Sequence, residues 1–283
     1  MDELTFFGTL ADFWEAVLVA LVCGGMLAYL GVWVSIKKVF WVPLALSQVA
    51  AFGAVLTFFV HDLFDLHSPG AEVWLRVLDP AWLSFVAAVL SALFFARPRL
   101  GGQRGVAVAY LLSSAGVLLL GAFVRRDLHD VNAILYGQAV LASLSEVLSV
   151  AGAALFALAV HALFYRRFLF VSFDPAAAGA AGFSVFALEV LLYATFAVML
   201  SAATRAMGAL PAFGLTVLPA LAGLAAGRSL AGAMVLAVCA GLLSAAFGTS
   251  LSFHFEELPA GASMAAVAGV LAGAAYLFRW LRT

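Results

Sequence analysis

The sequence predicts an all-α polytopic membrane protein, and three observations carry that prediction. Hydrophobic residues make up 66% of the 283 and charged residues 10%, with a mean hydropathy of +1.13, whereas a soluble domain is roughly half apolar and about a quarter charged. The apolar residues gather into runs of about 20, the length that crosses a ~30 Å hydrocarbon layer at 1.5 Å per residue. Few ionisable or amide residues interrupt those runs. A soluble globule with one very large core is excluded, because a chain of this size still needs a polar shell and divides its cores beyond ~250–300 residues.

The chain begins Met1-Asp2-Glu3-Leu4-Thr5, acidic where a signal peptide is basic. The first apolar run continues past signal-peptide length, so it reads as a retained spanning helix over about 13–36. Further candidates follow at about 39–60, 81–96, 105–124, 144–165, 183–203, 208–226, 229–251 and 262–280, for about 8–9 transmembrane helices. Between the fourth and fifth, Val131 to Ala142 is apolar but too short to cross, and reads as a re-entrant or broken segment. Such backbone survives at membrane depth only where protein or a water-filled cavity covers it. It therefore points to a pathway.

The loops orient the chain. With the N-terminus outside and the C-terminus in the cytoplasm, Lys37, Lys38, Arg97, Arg99, Arg104, Arg166, Arg167, Arg228, Arg279 and Arg282 fall inside, and Arg76, Arg125, Arg126 and Arg205 fall outside. Cytoplasmic loops carry the excess of basic residues. The longest loop, His61 to Pro80, then lies outside and mixes Asp62, Asp65, His67, Glu72 and Asp79 with Trp74 and Leu75. An interfacial amphipathic segment with Trp74 at headgroup level accounts for it more simply than an outer gate with metal-attracting carboxylates.

A net charge of -1 and the absence of a basic arm give no reason to expect a nucleic-acid partner. No G-x-x-x-x-G-K-[ST] loop is present to cradle phosphates, so the chain does not hydrolyse ATP by itself. Neither an H-E-x-x-H zinc helix nor a G-x-S-x-G nucleophile elbow occurs. The chain reads as no enzyme, with no catalytic residue, and its energy has to come from an ion gradient or a partner. Cys23 and Cys239 each lie in an apolar run, where a thiol behaves as a small hydrophobe.

Small residues recur through Leu221 to Ala240 and let helix backbones approach closely, which predicts a compact bundle. Pro43, Pro211 and Pro219 interrupt apolar runs, each removing a backbone hydrogen bond and permitting a kink. Broken helices of this kind often line transport routes. The polar residues within runs are Gln48, Gln138, Glu146, His161 and Glu189, and such groups tend to face the bundle interior, a partner or a cavity. Snorkelling accounts for His161 and Glu189 near the cytoplasmic ends of their helices. Gln48 and Gln138 are deeper and divide between a pathway role and an interhelical hydrogen bond.

Three stretches, in order and together spanning about residues 15 to 280, resemble the membrane subunit of zinc/manganese-type ABC importers. Ser172-Phe173-Asp174-Pro175, followed by Ala178 and Gly182, resembles the run that in this family forms the cytoplasmic coupling helix docking on the ATPase. Asp174 suits an N-cap, Pro175 the first helical turn, and Gly182 the end of the helix. Met207-Gly208-Ala209-Leu210, with Pro219-Ala220 beginning eleven residues after the glycine, is similar to the family's seventh-helix pattern. Glu257-Leu258-Pro259-Ala260-Gly261 resembles its acidic-x-proline-x-glycine outer loop.

The chain also departs from that pattern. Where the family shows glycine, aspartate, a small residue, leucine, serine and histidine on the second helix, this sequence has Pro43, Leu44, Ala45, Leu46, Ser47 and Gln48. The family's aromatic-glycine-aspartate in the broken segment reads Tyr136, Gly137, Gln138. Zinc or manganese wants imidazole or carboxylate ligands, and a leucine and two amides are poor replacements. No metal ligand is therefore assigned. Leu44, Ser47, Gln48, Tyr136, Gln138 and Pro219 remain as translocation-pathway candidates.

The resemblance implies one permease domain over 1–283 in the cell (inner) membrane, moving a metal ion, a metal complex or another small solute by alternating access. It implies a separate ABC ATPase, as a homodimer carrying ATP and Mg, a second permease copy or paralogue, and an extracytoplasmic substrate-binding protein. No cofactor is expected on this chain. In a heterodimer a paralogue supplies the missing ligands; otherwise the cargo is a chelate or another solute. The rivals are a gradient-driven secondary transporter or channel, whose usual mark is a deep carboxylate or histidine relay, and a non-transporting scaffold. An intramembrane enzyme comes last, because no nucleophile and base pair up within the spans.

Overall fold

The computed structural model describes residues 13–64, 79–97, 102–124, 143–255 and 258–281, and every secondary-structure element among them is a helix. In chain order these are α1 (Trp14–Lys37), α2 (Trp41–Leu63), α3 (Pro80–Phe95), α4 (Gln103–Phe123), α5 (Leu144–Phe173), α6 (Pro175–Ala180), α7 (Val185–Met207), α8 (Ala209–Ala226), α9 (Leu230–His254) and α10 (Ala260–Trp280). Eight are long and apolar enough to cross a membrane, while α3 is apolar but has 16 residues. At about 24 Å, α3 falls short of the hydrocarbon thickness. Each of the nine candidate spans coincides with one helix, and the short apolar segment Val131 to Ala142 lies outside the described residues.

Two expectations need correction. The fifth span does not stop at 165: α5 runs through Arg166 and Arg167 to Phe173, 30 residues in all. Both arginines are exposed while Phe168 and Val171 are buried, so an apolar stripe carries the helix past the charges, and arginine is itself a good helix former. Nor do all three prolines interrupt a helix. Pro43 and Pro211 lie in the first turns of α2 and α8, where the N–H has no intrahelical partner to lose. Pro219 lies inside α8 and leaves the Leu215 carbonyl without its usual donor.

The central helix is α1, which packs on α5, α7, α8 and α9. On one flank α8, α9 and α10 pack on one another; on the other, α2 packs on α3, α4, α7 and α8, and α7 packs on α3 and α5. The main core gathers Leu27, Leu30, Trp33, Phe168 and Phe196, and a smaller cluster lies between α2 and α4 around Val55 and Val117. Backbones approach closely along the first flank. A Cβ on Gly24 would stand 2.6 Å from the Gly241 carbonyl oxygen, and one on Gly31 would overlap the Thr216 carbonyl. Leucines such as Leu112 and Leu155 are exposed outward, as lipid contact requires.

Candidate functional site

At the end of α5 a short rigid platform is built almost wholly from local rules. The Asp174 carboxylate accepts the Ala177 N–H at 2.9 Å and Pro175 occupies the first turn of α6, the cap and the φ-restricted residue that start a helix cleanly. Gly182 ends it with a φ of +85°. Its N–H donates to the Gly179 carbonyl at 3.0 Å and that of Phe183 to Ala178 at 3.1 Å, the paired closure that favours glycine in the left-handed region. Ser184 then caps α7 through the Ala187 N–H. Ala178 is fully buried and ties α6 to the bundle, while Asp174, Pro175 and Gly182 are exposed. Phe173, Phe183 and Phe186 are exposed around them. The result is a stiff, partly apolar surface at one end of the molecule.

Leu44, Ser47 and Gln48 lie in the first turns of α2. The buried Ser47 hydroxyl donates back to the Leu44 carbonyl at 2.9 Å, so it is consumed within its own helix. Leu44 and Gln48, four apart, share a face. Leu44 is half-buried and Gln48 buried, and among the described residues the Gln48 Oε1 has no hydrogen-bond partner. A buried acceptor left unpaired costs about 1–3 kcal/mol. The buried Pro219 lies on α8, which packs on α2. Tyr136 and Gln138 lie outside the described residues. Among those described, no three of His, Cys, Asp or Glu come together as a metal-holding set.

Two of the sequence motifs meet in space. Gly208, with a φ of +92°, makes the turn from α7 into α8. Pro259 precedes α10, and the Ser252 hydroxyl holds the approach to it by donating to the Leu258 carbonyl at 2.7 Å. A Cβ at Gly261 would collide with the Pro211 ring and stand 2.8 Å from the Met207 carbonyl oxygen. Gly261, in the first turn of α10, is therefore required by packing against the α7–α8 turn. Glu257 lies outside the described residues.

The polar groups within the runs are mostly accounted for. Glu146 accepts the Ser143 N–H at 2.8 Å and completes a capping box at the start of α5. Glu189 does not snorkel: it pairs with Lys37 at 2.8 Å, with side chains 18% and 6% exposed respectively. His161 does not snorkel either, being 1% exposed. Because α5 extends to Phe173, this histidine sits about 18 Å from its helix end. Its Nε2 lies 3.0 Å from Thr195 Oγ1, whose hydroxyl donates to the Leu192 carbonyl, and its Nδ1 lies 3.2 Å from the Tyr29 hydroxyl. That network assigns the proton to Nε2 and makes Tyr29 the donor to Nδ1. Rings of Tyr29, Trp33 and Phe168 close around it at 5.2–5.3 Å.

Sequence reasoning missed one further feature. Arg205, counted there as a loop charge, lies in the last turn of α7 and donates from Nη2 to Ser149 at 2.8 Å. With Asp79, Ala81, Trp82 and Phe85 it lines a cleft of about 460 Å³. Asp79 caps α3 by accepting the Ala81 N–H at 2.6 Å. Asp79-Pro80 repeats the pairing of Asp174-Pro175, and that was the available signal.

A family model for the "ABC 3 transport family" matches residues 11–279. The chain is 27% identical over 182 residues to the manganese transport system membrane protein MntC of Listeria monocytogenes, covering 64% of each chain. It thus spans just under two thirds of that relative. It is 24% identical over 263 residues to the MntC of Halalkalibacterium halodurans, covering 93% of this chain and 84% of that one. Among solved structures, PsaBC from Streptococcus pneumoniae in complex with Fab shares the fold, with a TM-score of 0.80 at 18% identity over 98% of this chain and 99% of that one.

Proposed function

The chain belongs to the ABC 3 transport family, and we propose that it is the membrane permease subunit of an ABC importer whose cargo is a metal already held in a complex. The observation that carries the permease reading is α6, capped at both ends, anchored by Ala178 and mostly exposed beside three phenylalanines. A lever that passes force between subunits has to be stiff and presented outward. With the N-terminus outside and the C-terminus in the cytoplasm, as the basic loops favour, this platform faces an ATPase homodimer that binds ATP and Mg. A second copy of the permease and an extracytoplasmic binding protein complete the assembly, and alternating access moves the cargo. The manganese transport named for the relatives supports a metal cargo. Leu44 and the neutral Gln48, whose Oε1 has no partner among the described residues, support one whose charge and coordination are already satisfied.

The test is affinity purification of the tagged chain from native membranes in mild detergent, with mass spectrometry and stoichiometry of what accompanies it. Recovery of an ABC ATPase with one permease type is the expected result; a second permease type would favour a paralogue that supplies ligands. Asp174→Ala should lower cargo-stimulated ATPase activity about tenfold by loosening α6, and Asp174→Asn, which also caps, should retain it. A chain that repeatedly comes down alone, with activity indifferent to Asp174→Ala, would overturn the reading in favour of a gradient-driven transporter or a scaffold.

A further inference from the structure

We propose that the cleft at the end of the bundle opposite α6, between α3, α5 and α7, binds a phospholipid whose headgroup carries both a phosphate and a primary ammonium, as phosphatidylethanolamine does. Charge comes first. Arg205 and Asp79 line the same cavity, and among the described residues no ion pair joins them. Arg205 places Nη2 on Ser149 and has a buried Nε with no partner among the described residues. Asp79 places Oδ1 on the Ala81 N–H and keeps its other oxygen. A guanidinium fork matches phosphate oxygens, and a carboxylate oxygen matches an ammonium. A simple anion would be opposed by Asp79 and a simple cation by Arg205; a zwitterion meets both.

The second feature is a place for the tail. A further cavity of about 270 Å³ shares Phe85, Ser149 and Arg205 with the first and continues between α5 and α7 past Leu148, Gly152 and Val198. It is an apolar groove leading away from a charged mouth. The third is depth. The mouth is formed by the start of α3, the first turns of α5 and the last turn of α7, where apolar spans give way to headgroups. Trp82, 58% exposed and stacked on Phe85 at 5.7 Å, stands where tryptophan favours the membrane interface. None of these features depends on the identity of the cargo.

The purified full chain, stripped of lipid in mild detergent, is titrated with dioleoyl phosphatidylethanolamine, phosphatidylcholine and phosphatidylglycerol, and bound lipid is counted by native mass spectrometry. The ethanolamine lipid should bind about tenfold more tightly than the choline lipid, whose methylated ammonium cannot donate. Arg205→Gln should weaken all three about tenfold. Asp79→Asn keeps the helix cap and should erase the preference for ethanolamine over glycerol. A Cβ at Gly152 would have no atom within 4 Å, so Gly152→Leu should fold normally, fill the groove and weaken all three lipids with the unfolding temperature unchanged. Equal binding of the three lipids, or binding indifferent to both Arg205→Gln and Gly152→Leu, would overturn the proposal. So would displacement by phosphoethanolamine lacking acyl chains at equal concentration, which would mark the cleft as a site for a soluble solute.

Discussion

Toward α8 and α9, α1 presents Gly24 and Gly31, whose α-carbons lie against the Gly241 and Thr216 carbonyls with no room for a side chain. Toward α5 and α7 it presents Tyr29 and Trp33, whose rings enclose His161, and the Tyr29 hydroxyl hydrogen-bonds its Nδ1. In lipid there is little water to expel from between helices, so association draws on close van der Waals contact and on interhelical hydrogen bonds. This helix uses one on each face. Backbone against backbone sets the distance of α1 from its neighbours to within a few tenths of an ångström. On the other face the Tyr29–His161 hydrogen bond and the rings packed around it set its rotation and depth. The first face is therefore fixed by shape, and the second by one hydrogen bond and the rings around it.

The largest effect expected of that contrast is at Gly31. Gly31→Ala puts a methyl group into the Thr216 carbonyl, with backbone rather than a flexible side chain in the way, and should cost about 1–3 kcal/mol or more by overpacking. Thermal unfolding in detergent measures it, and Gly31→Leu should yield no monodisperse protein. On the other face, His161→Phe leaves the Tyr29 hydroxyl without its acceptor and should cost about 1–3 kcal/mol. Thr195 keeps its own bond to Leu192, so Tyr29→Phe with His161→Phe should cost less than the sum of the two, by about 0.6–1.7 kcal/mol. Strict additivity would mean that the ring cage, not the hydrogen bonds, holds this face. The smallest effect should come from Gly25→Ala, whose methyl would meet the flexible end of Leu242 at 3.2 Å and the Val238 side chain at 3.8 Å and should shift stability by less than about 0.5 kcal/mol. If Gly25→Ala and Gly31→Ala prove equal, backbone approach does not set the position of α1.

Gly25 and Gly31 are indistinguishable as letters, and so are Pro211 and Pro219. What separates them is the neighbour across the interface, or whether the helix has begun two residues or ten residues earlier. The Asp174–Pro175 platform was legible because a cap and its first turn are made by adjacent residues, and the structure places that hydrogen bond on Ala177. Asp79 obeys the same rule, but in the sequence it is one of the acidic residues of a long loop, and only the Pro80 that follows it marks it as a cap. Gln48 was identified as a deep amide, and the fold adds that its Oε1 is left without a partner among the described residues.

By itself the sequence determined that the chain is helical and membrane-spanning, roughly where each span lies, and how α6 starts and stops. These properties are sums over contiguous residues: hydropathy needs a run of about 20 and a cap needs four. Only the tertiary structure decided that His161 is enclosed rather than snorkelling, that Lys37 pairs with Glu189, and that Arg205 and Asp79 face one cavity. Tyr29 and His161 are separated by 132 positions. The partner of a buried polar group is chosen by whichever helix packs beside it, and packing in lipid follows shape and small residues whose pairing no local pattern records.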